Sequence, residues 1–206
     1  MLSTRLMLAL LTVATLGACH APQRGVAVLG TGRSATDFDT YTIRRVGLVP
    51  FAGNGLDHGQ SEMLSSAFFS EISAVTRYEV VPLSNPDLAE VPSSEPYRRG
   101  WYRPETVLGI ARRFQLDALM IGTVTDRQSF PHQRLSVQLE LVAAETGMVV
   151  WSGSVQLDSS QRKVRESVEA WAKEHLGVTE DAEWEIILLS PSRFARFAAF
   201  QVAELL

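Results

Sequence analysis

The chain has a single cysteine, Cys19, among 206 residues, so no disulfide can form within it. Long apolar runs are missing too. Residues 6–16 form an apolar run of 11 residues, about half of the roughly 20 that a membrane-spanning helix needs. Basic charge is not in excess: 19 Lys and Arg stand against 23 Asp and Glu, a net charge of −4. A nucleic-acid binder would show a basic face or stripe, so no nucleic-acid partner is expected. The signatures of nucleotide loops and nucleophile elbows are also absent: no Gly-x-Gly-x-x-Gly, no Gly-Lys-Ser/Thr ending, no Gly-x-Ser-x-Gly. His58, His132 and His175 are scattered, without His-x-x-x-His spacing or a second ligand at short range. No catalytic residue, no metal and no cofactor is expected; a hydrolase using His58 or His132 is a remote alternative.

What is present starts at the amino terminus. Arg5, the apolar run and the small residues Gly17 and Ala18 have the layout of a secretory signal peptide over residues 1–18. Leu16-Gly17-Ala18-Cys19 resembles the lipobox of bacterial lipoproteins. That resemblance implies cleavage before Cys19, acylation of its thiol and amine, and a membrane anchor of two or three chains. The processed chain has 188 residues and, with 18 basic against 23 acidic, a net charge of −5. With the one thiol acylated, packing alone must hold the body together in an oxidising compartment. Residues 19–42, rich in Gly, Ser, Thr, Ala and Pro, read as a tether, in which 26–29 could add an edge strand.

Residues 43–51 form an apolar run bounded by turn residues, a buried strand. Asp57 followed by Gln60 forms a helix-capping box, and Leu64, Phe68, Ile72 and Val75 recur at helical spacing. A strand at 78–81 ends at Pro82, and residues 84–104, with four prolines, read as a long exposed loop. Pro104 opens a second helix with Val107, Leu108, Ala111 and Phe114 inward. Residues 116–125 read as a central strand. Alternation over 135–141, a turn at Glu145-Thr146-Gly147 and an apolar face through Val149, Trp151, Val155 and Leu157 make a hairpin. A third helix carries Val164, Val168, Trp171 and His175. The order β-α-β-α-β-β-β-α predicts a single α/β domain over 43–176, its mixed β-sheet flanked by helices. Residues 177–206 form an extension: 186–189 is a strand or buried segment, and Ser190-Pro191 starts a helix bearing Phe194, Phe197 and Phe200. Those phenylalanines read as self-packing or self-association.

Three motifs carry a family resemblance over residues 43–175. They are the strand Val46-Gly47-Leu48-Val49-Pro50-Phe51 with its following helix; Asp117-Ala118-Leu119-Met120-Ile121-Gly122-Thr123; and Glu145-Thr146-Gly147-Met148-Val149-Val150-Trp151. Together they resemble the CsgG-like group: curli-export lipoproteins, lipoprotein activators of penicillin-binding proteins, and the amino-terminal domain of the Tol-system β-propeller protein. The resemblance implies a non-enzymatic scaffold or regulator of an envelope assembly for export, polysaccharide secretion or cell-wall synthesis. Its partners would be an envelope protein and possible further copies of itself. His20 stands where an inner-membrane retention signal places Asp, which by analogy selects the inner leaflet of the outer membrane, facing the periplasm. No pair of long amphipathic strands for a membrane barrel is evident.

Two surface candidates remain. Arg98, Arg99, Trp101, Tyr102 and Arg103 combine the residue types that dominate binding hot spots within the proline-rich loop; alternatively Trp101 folds back onto the body. Asn54, Gly55, Asp57 and His58 follow a strand and open a helix, where backbone N–H groups can hold an anion or small ligand of a transporter. A capped turn is the plainer reading of the same residues.

Overall fold

The computed structural model describes residues 25–53, 55–89, 97–98, 101–102, 104–179 and 183–206. In chain order it contains β1 (Thr31–Ser34), β2 (Arg45–Gly53), α1 (His58–Val75), β3 (Glu79–Pro82), α2 (Asn85–Ala89), β4 (Tyr97–Arg98) and β5 (Trp101–Tyr102). There follow α3 (Pro104–Phe114), β6 (Ala118–Gln128), β7 (Arg134–Ala143), β8 (Val149–Asp158), α4 (Arg162–His175), α5 (Glu185–Leu189) and α6 (Pro191–Ala203). Six strands form one sheet in the order β1-β8-β7-β6-β2-β3. β2 pairs in parallel with β3 and β6, as helical crossovers require, and β6, β7, β8 and β1 pair antiparallel. The expected α/β class, mixed sheet and terminal helix are all present.

The period-two alternation of β7 explains the layering. Leu135, Val137, Leu139 and Leu141 point to one face, where α1, α4 and α6 bury Leu64, Phe68, Trp171, Phe194 and Phe197. On the other face α3 covers Val49, Leu119, Ile121 and Val142, a smaller cluster at one end of the sheet. The motif glycines serve this packing. The Phe51 ring lies flat against Gly122, where a Cβ would sit 2.3 Å from Cε1. Trp151 likewise folds over Gly153, leaving 2.5 Å for a Cβ there. Gly147 takes φ 68° in the turn before β8, a conformation that glycine adopts without steric cost.

The structure departs from the sequence expectations in several places. Residues 25–34, read as tether, are fastened to the body: the edge strand is at Thr31–Ser34 rather than 26–29, and pairs with β8. Leu29 N–H donates to Gln201 Oε1 (2.6 Å), Gln201 Nε2 donates to the Ala27 carbonyl (3.1 Å), and Ser167 Oγ donates to the same carbonyl (2.8 Å). Residues 186–189 are helical, because Ile187 and Leu188 bury on one side while Ile186 and Leu189 face out, a helical rather than a strand pattern. The stretch at 84–104 contains a short helix and a two-stranded hairpin. In α3 Ile110 joins Val107 and Ala111 in the buried stripe, Phe114 packs half-buried against the same cluster, and Leu108 is half-buried. The carboxy-terminal helix is no appendage: Phe194, Phe197 and Phe200 belong to the main core, with Trp171 5.5 Å from the Phe197 ring.

Candidate functional site

The strongest polar constellation lies where β2 and β3 end and α1 begins, the edge of a parallel sheet where loops converge. Gly55 turns the chain with φ 72°. Asp57 caps α1 as expected: its Oδ1 accepts from Gln60 N–H (2.8 Å), and Gln60 Oε1 accepts from Asp57 N–H (3.3 Å). Gln60 Oε1 also accepts from Arg127 Nη1 (2.6 Å), so strand β6 anchors the same turn. The carboxylate of Asp57 therefore already fills the place an anion would take at this helix end. His58, the first residue of α1, places Nε2 3.2 Å from Glu62 Oε1 and Nδ1 3.3 Å from Asn85 Nδ2.

A groove of about 500 Å³ opens beside His58, walled by Ser61, Glu62, Ser65, Phe69 and Asn85. Its floor is fixed from below by Ser61, whose Oγ donates to the Phe51 carbonyl (2.7 Å). Asn85 reaches the groove because α2 is capped: Ser84 N–H donates to Asp87 Oδ2 (2.8 Å), and Ser84 Oγ donates to the same oxygen (2.6 Å). These bonds hold the Asp87 carboxyl below its ordinary pKa, the hydroxyl contributing most. Sequence reasoning missed this helix although Ser84-Asn85-Pro86-Asp87 carries the spacing of a capping box.

The other singled-out residues fall elsewhere. Arg98 and Trp101 pair across the β4–β5 hairpin, as do Tyr97 and Tyr102, so the aromatic and basic residues at least share one ribbon of backbone. Arg99, Arg103, Asn54 and Cys19 lie outside the described residues. His132 is exposed in the β6–β7 turn, and His175 lies tilted against Phe200 with centroids 4.7 Å apart, so the three histidines do not converge. Among the described residues no group of three or more His, Cys, Asp or Glu could hold a metal ion, and no helix is long and apolar enough to cross a membrane.

No family model and no curated protein sequence matches the chain. Solved structures do. The PelC dodecamer from Paraburkholderia phytofirmans aligns at 15% identity over 84% of this chain and 94% of that one, with a TM-score of 0.51. The chain shares the PelC fold. Lipoprotein GNA1162 from Neisseria meningitidis aligns at 19% identity over 69% of this chain and 89% of its own, with a TM-score of 0.43. The carboxy-terminal domain of LpoB from Salmonella enterica gives 20% identity, 58% and 86% coverage, and a TM-score of 0.38. At such identities a shared fold says nothing of a shared site.

Proposed function

We propose that this chain is a lipid-anchored bacterial envelope lipoprotein of the CsgG-like group, acting without catalysis as a scaffold or regulator of an envelope assembly. The observation that carries the reading is the Leu16-Gly17-Ala18-Cys19 motif placed ahead of a body with the PelC fold. Residues 1–18 are a signal peptide, 19–24 the lipidated linker, and the remainder one body. Acylated Cys19 holds that body at the inner leaflet of the outer membrane, facing the periplasm. Self-association is supported by the dodecameric state of PelC. Arg98, Arg99, Trp101, Tyr102 and Arg103 supply the contact for an envelope protein; the groove at His58 is a secondary surface. The reading needs no cofactor.

The test is made in cells expressing the full chain. Mass spectrometry of the purified protein is expected to find Cys19 as the acylated amino terminus. Cys19→Ser is expected to move the protein from the membrane to the soluble fraction. Light scattering of the detergent-solubilised protein is expected to give a multiple of the protomer mass. An unmodified amino terminus removes the anchor, and a monomer removes the self-assembly.

A further inference from the structure

The β6–β7 turn and the carboxy-terminal helices meet at one corner of the body, and Gln133 ties them together. Its backbone N–H donates to Ser159 Oγ (2.9 Å), and its buried side chain donates from Nε2 to the Leu188 carbonyl (2.9 Å). The turn, the β8–α4 connection and the end of α5 are thus fixed to one another. Immediately beyond the tie, apolar side chains point away from the core. Phe130 is 84% exposed and Leu189 78%, the two most exposed large hydrophobic residues among those described, and Ile186 beside them is 49% exposed. Apolar groups clustered on a fixed corner mark a surface that something covers.

The amino-terminal strap indicates what covers it. Thr31 lies opposite Ser154, and continuing backwards from it the chain heads toward the Asp158 end of β8, the end at which Asp158 pairs with Arg134 and Ser159 meets Gln133. Ala27 then bonds to Ser167, in the second turn of α4, and to Gln201 late in α6; α4 begins with Arg162 at that same corner. From Gly25 to Cys19 the chain spans six peptide units, at most about 3.6 Å each, or roughly 20 Å in all. A lipid on Cys19 therefore holds Gly25, and the α4 face that receives Ala27, within about that distance of the bilayer. Arg162, ion-paired with Glu166, and Lys163 are both exposed at the start of α4, available to lipid headgroups.

The geometry points to Phe130 and Leu189 dipping into the leaflet that holds the Cys19 lipid. The body then rests on the membrane by this corner instead of swinging from its linker, and the β7–β8 turn around Thr146 faces away. This inference rests on the lipid-anchor reading above.

Acylation consumes the one native thiol, so Phe130→Cys, Leu189→Cys and Thr146→Cys in the full lipidated protein each offer a single site for a nitroxide label. The variants are reconstituted into phosphatidylethanolamine–phosphatidylglycerol vesicles and their collision rates with oxygen and with an aqueous nickel chelate are compared. Labels at positions 130 and 189 are expected to lie about 5–10 Å into the interface, with an oxygen-to-nickel ratio several-fold above that at 146. Equal nickel access at all three positions, in protein that floats with the vesicles, overturns the corner and leaves the anchor standing. Dipolar broadening between copies at 130 without lipid contact assigns the corner to a subunit interface and overturns it as well. Protein that does not float at all removes the anchor, and the inference with it.

Discussion

Gly122→Ala adds one methyl group where the fold leaves no room for it. The new Cβ would stand 2.3 Å from Phe51 Cε1, 2.5 Å from Cζ and 2.6 Å from Cδ1. The ring cannot retreat, because Phe51 is buried and tilted against Phe68 with centroids 4.6 Å apart. Overpacking of this kind costs about 1–3 kcal/mol, offset by the ~0.5–1 kcal/mol that alanine gains over glycine in an ordinary strand. A net loss of about 1–2 kcal/mol corresponds to roughly 2–8 °C in Tm for a body of this size. Phe51→Ala alone is expected to cost about 3–5 kcal/mol. If the clash is the cause, Gly122→Ala in the Phe51→Ala background instead gains about 0.5–1 kcal/mol, a coupling of about 1–3 kcal/mol. Urea denaturation followed by tryptophan fluorescence on the four proteins measures it. Equal cost of Gly122→Ala in both backgrounds would refute the argument and return Gly122 to a backbone role.

Two further outcomes follow from bonds described above. Gln201→Leu removes its own bonds to Leu29 and Ala27, leaving Ala27 held by Ser167 alone and the Leu29 N–H orphaned at a cost of about 1–3 kcal/mol; hydrogen exchange over residues 25–34 should accelerate, and unchanged protection there would count against the clamp. The Asp158 carboxyl is held below its ordinary 3.8 by the Ser160 hydroxyl first and the Ser160 N–H second. A folded pKa below the unfolded one contributes stability above the ordinary carboxylate range and loses it as pH falls through the lower folded value. Asp158→Asn should therefore cost at most about 1 kcal/mol at pH 7, with the gap to the parent closing below pH 3.8; a gap that stays constant down to pH 3 would show the carboxylate to be irrelevant.

The sheet was readable because periodicity is a local property. The alternation of Leu135, Val137, Leu139 and Leu141 and the helical spacing of Leu64, Phe68 and Ile72 each report the side that meets the core. The Asp57–Gln60 box needed four consecutive residues and no tertiary knowledge. What escaped depended on distant partners. Nothing near residues 31–34 marks them as a strand; they become one by pairing with β8, about 120 residues away in sequence. The helix Glu185–Leu189 is hidden in the sequence because five residues are too few to separate a period of 3.6 from one of 2. The groove at His58 is assembled from α1 and α2, and the second of these was overlooked inside a proline-rich stretch whose Ser84–Asp87 cap was in plain view.

The clasp between Gln201 and residues 27–29, together with the Leu205 carbonyl that accepts from Trp151 Nε1 (3.2 Å), has a consequence for biogenesis. These bonds join positions 54 to 174 residues apart, so a polypeptide threading out amino end first can make none of them until nearly all of it has emerged. The globule is therefore sealed only when both ends of the chain are present, whatever the order in which the rest of it folds.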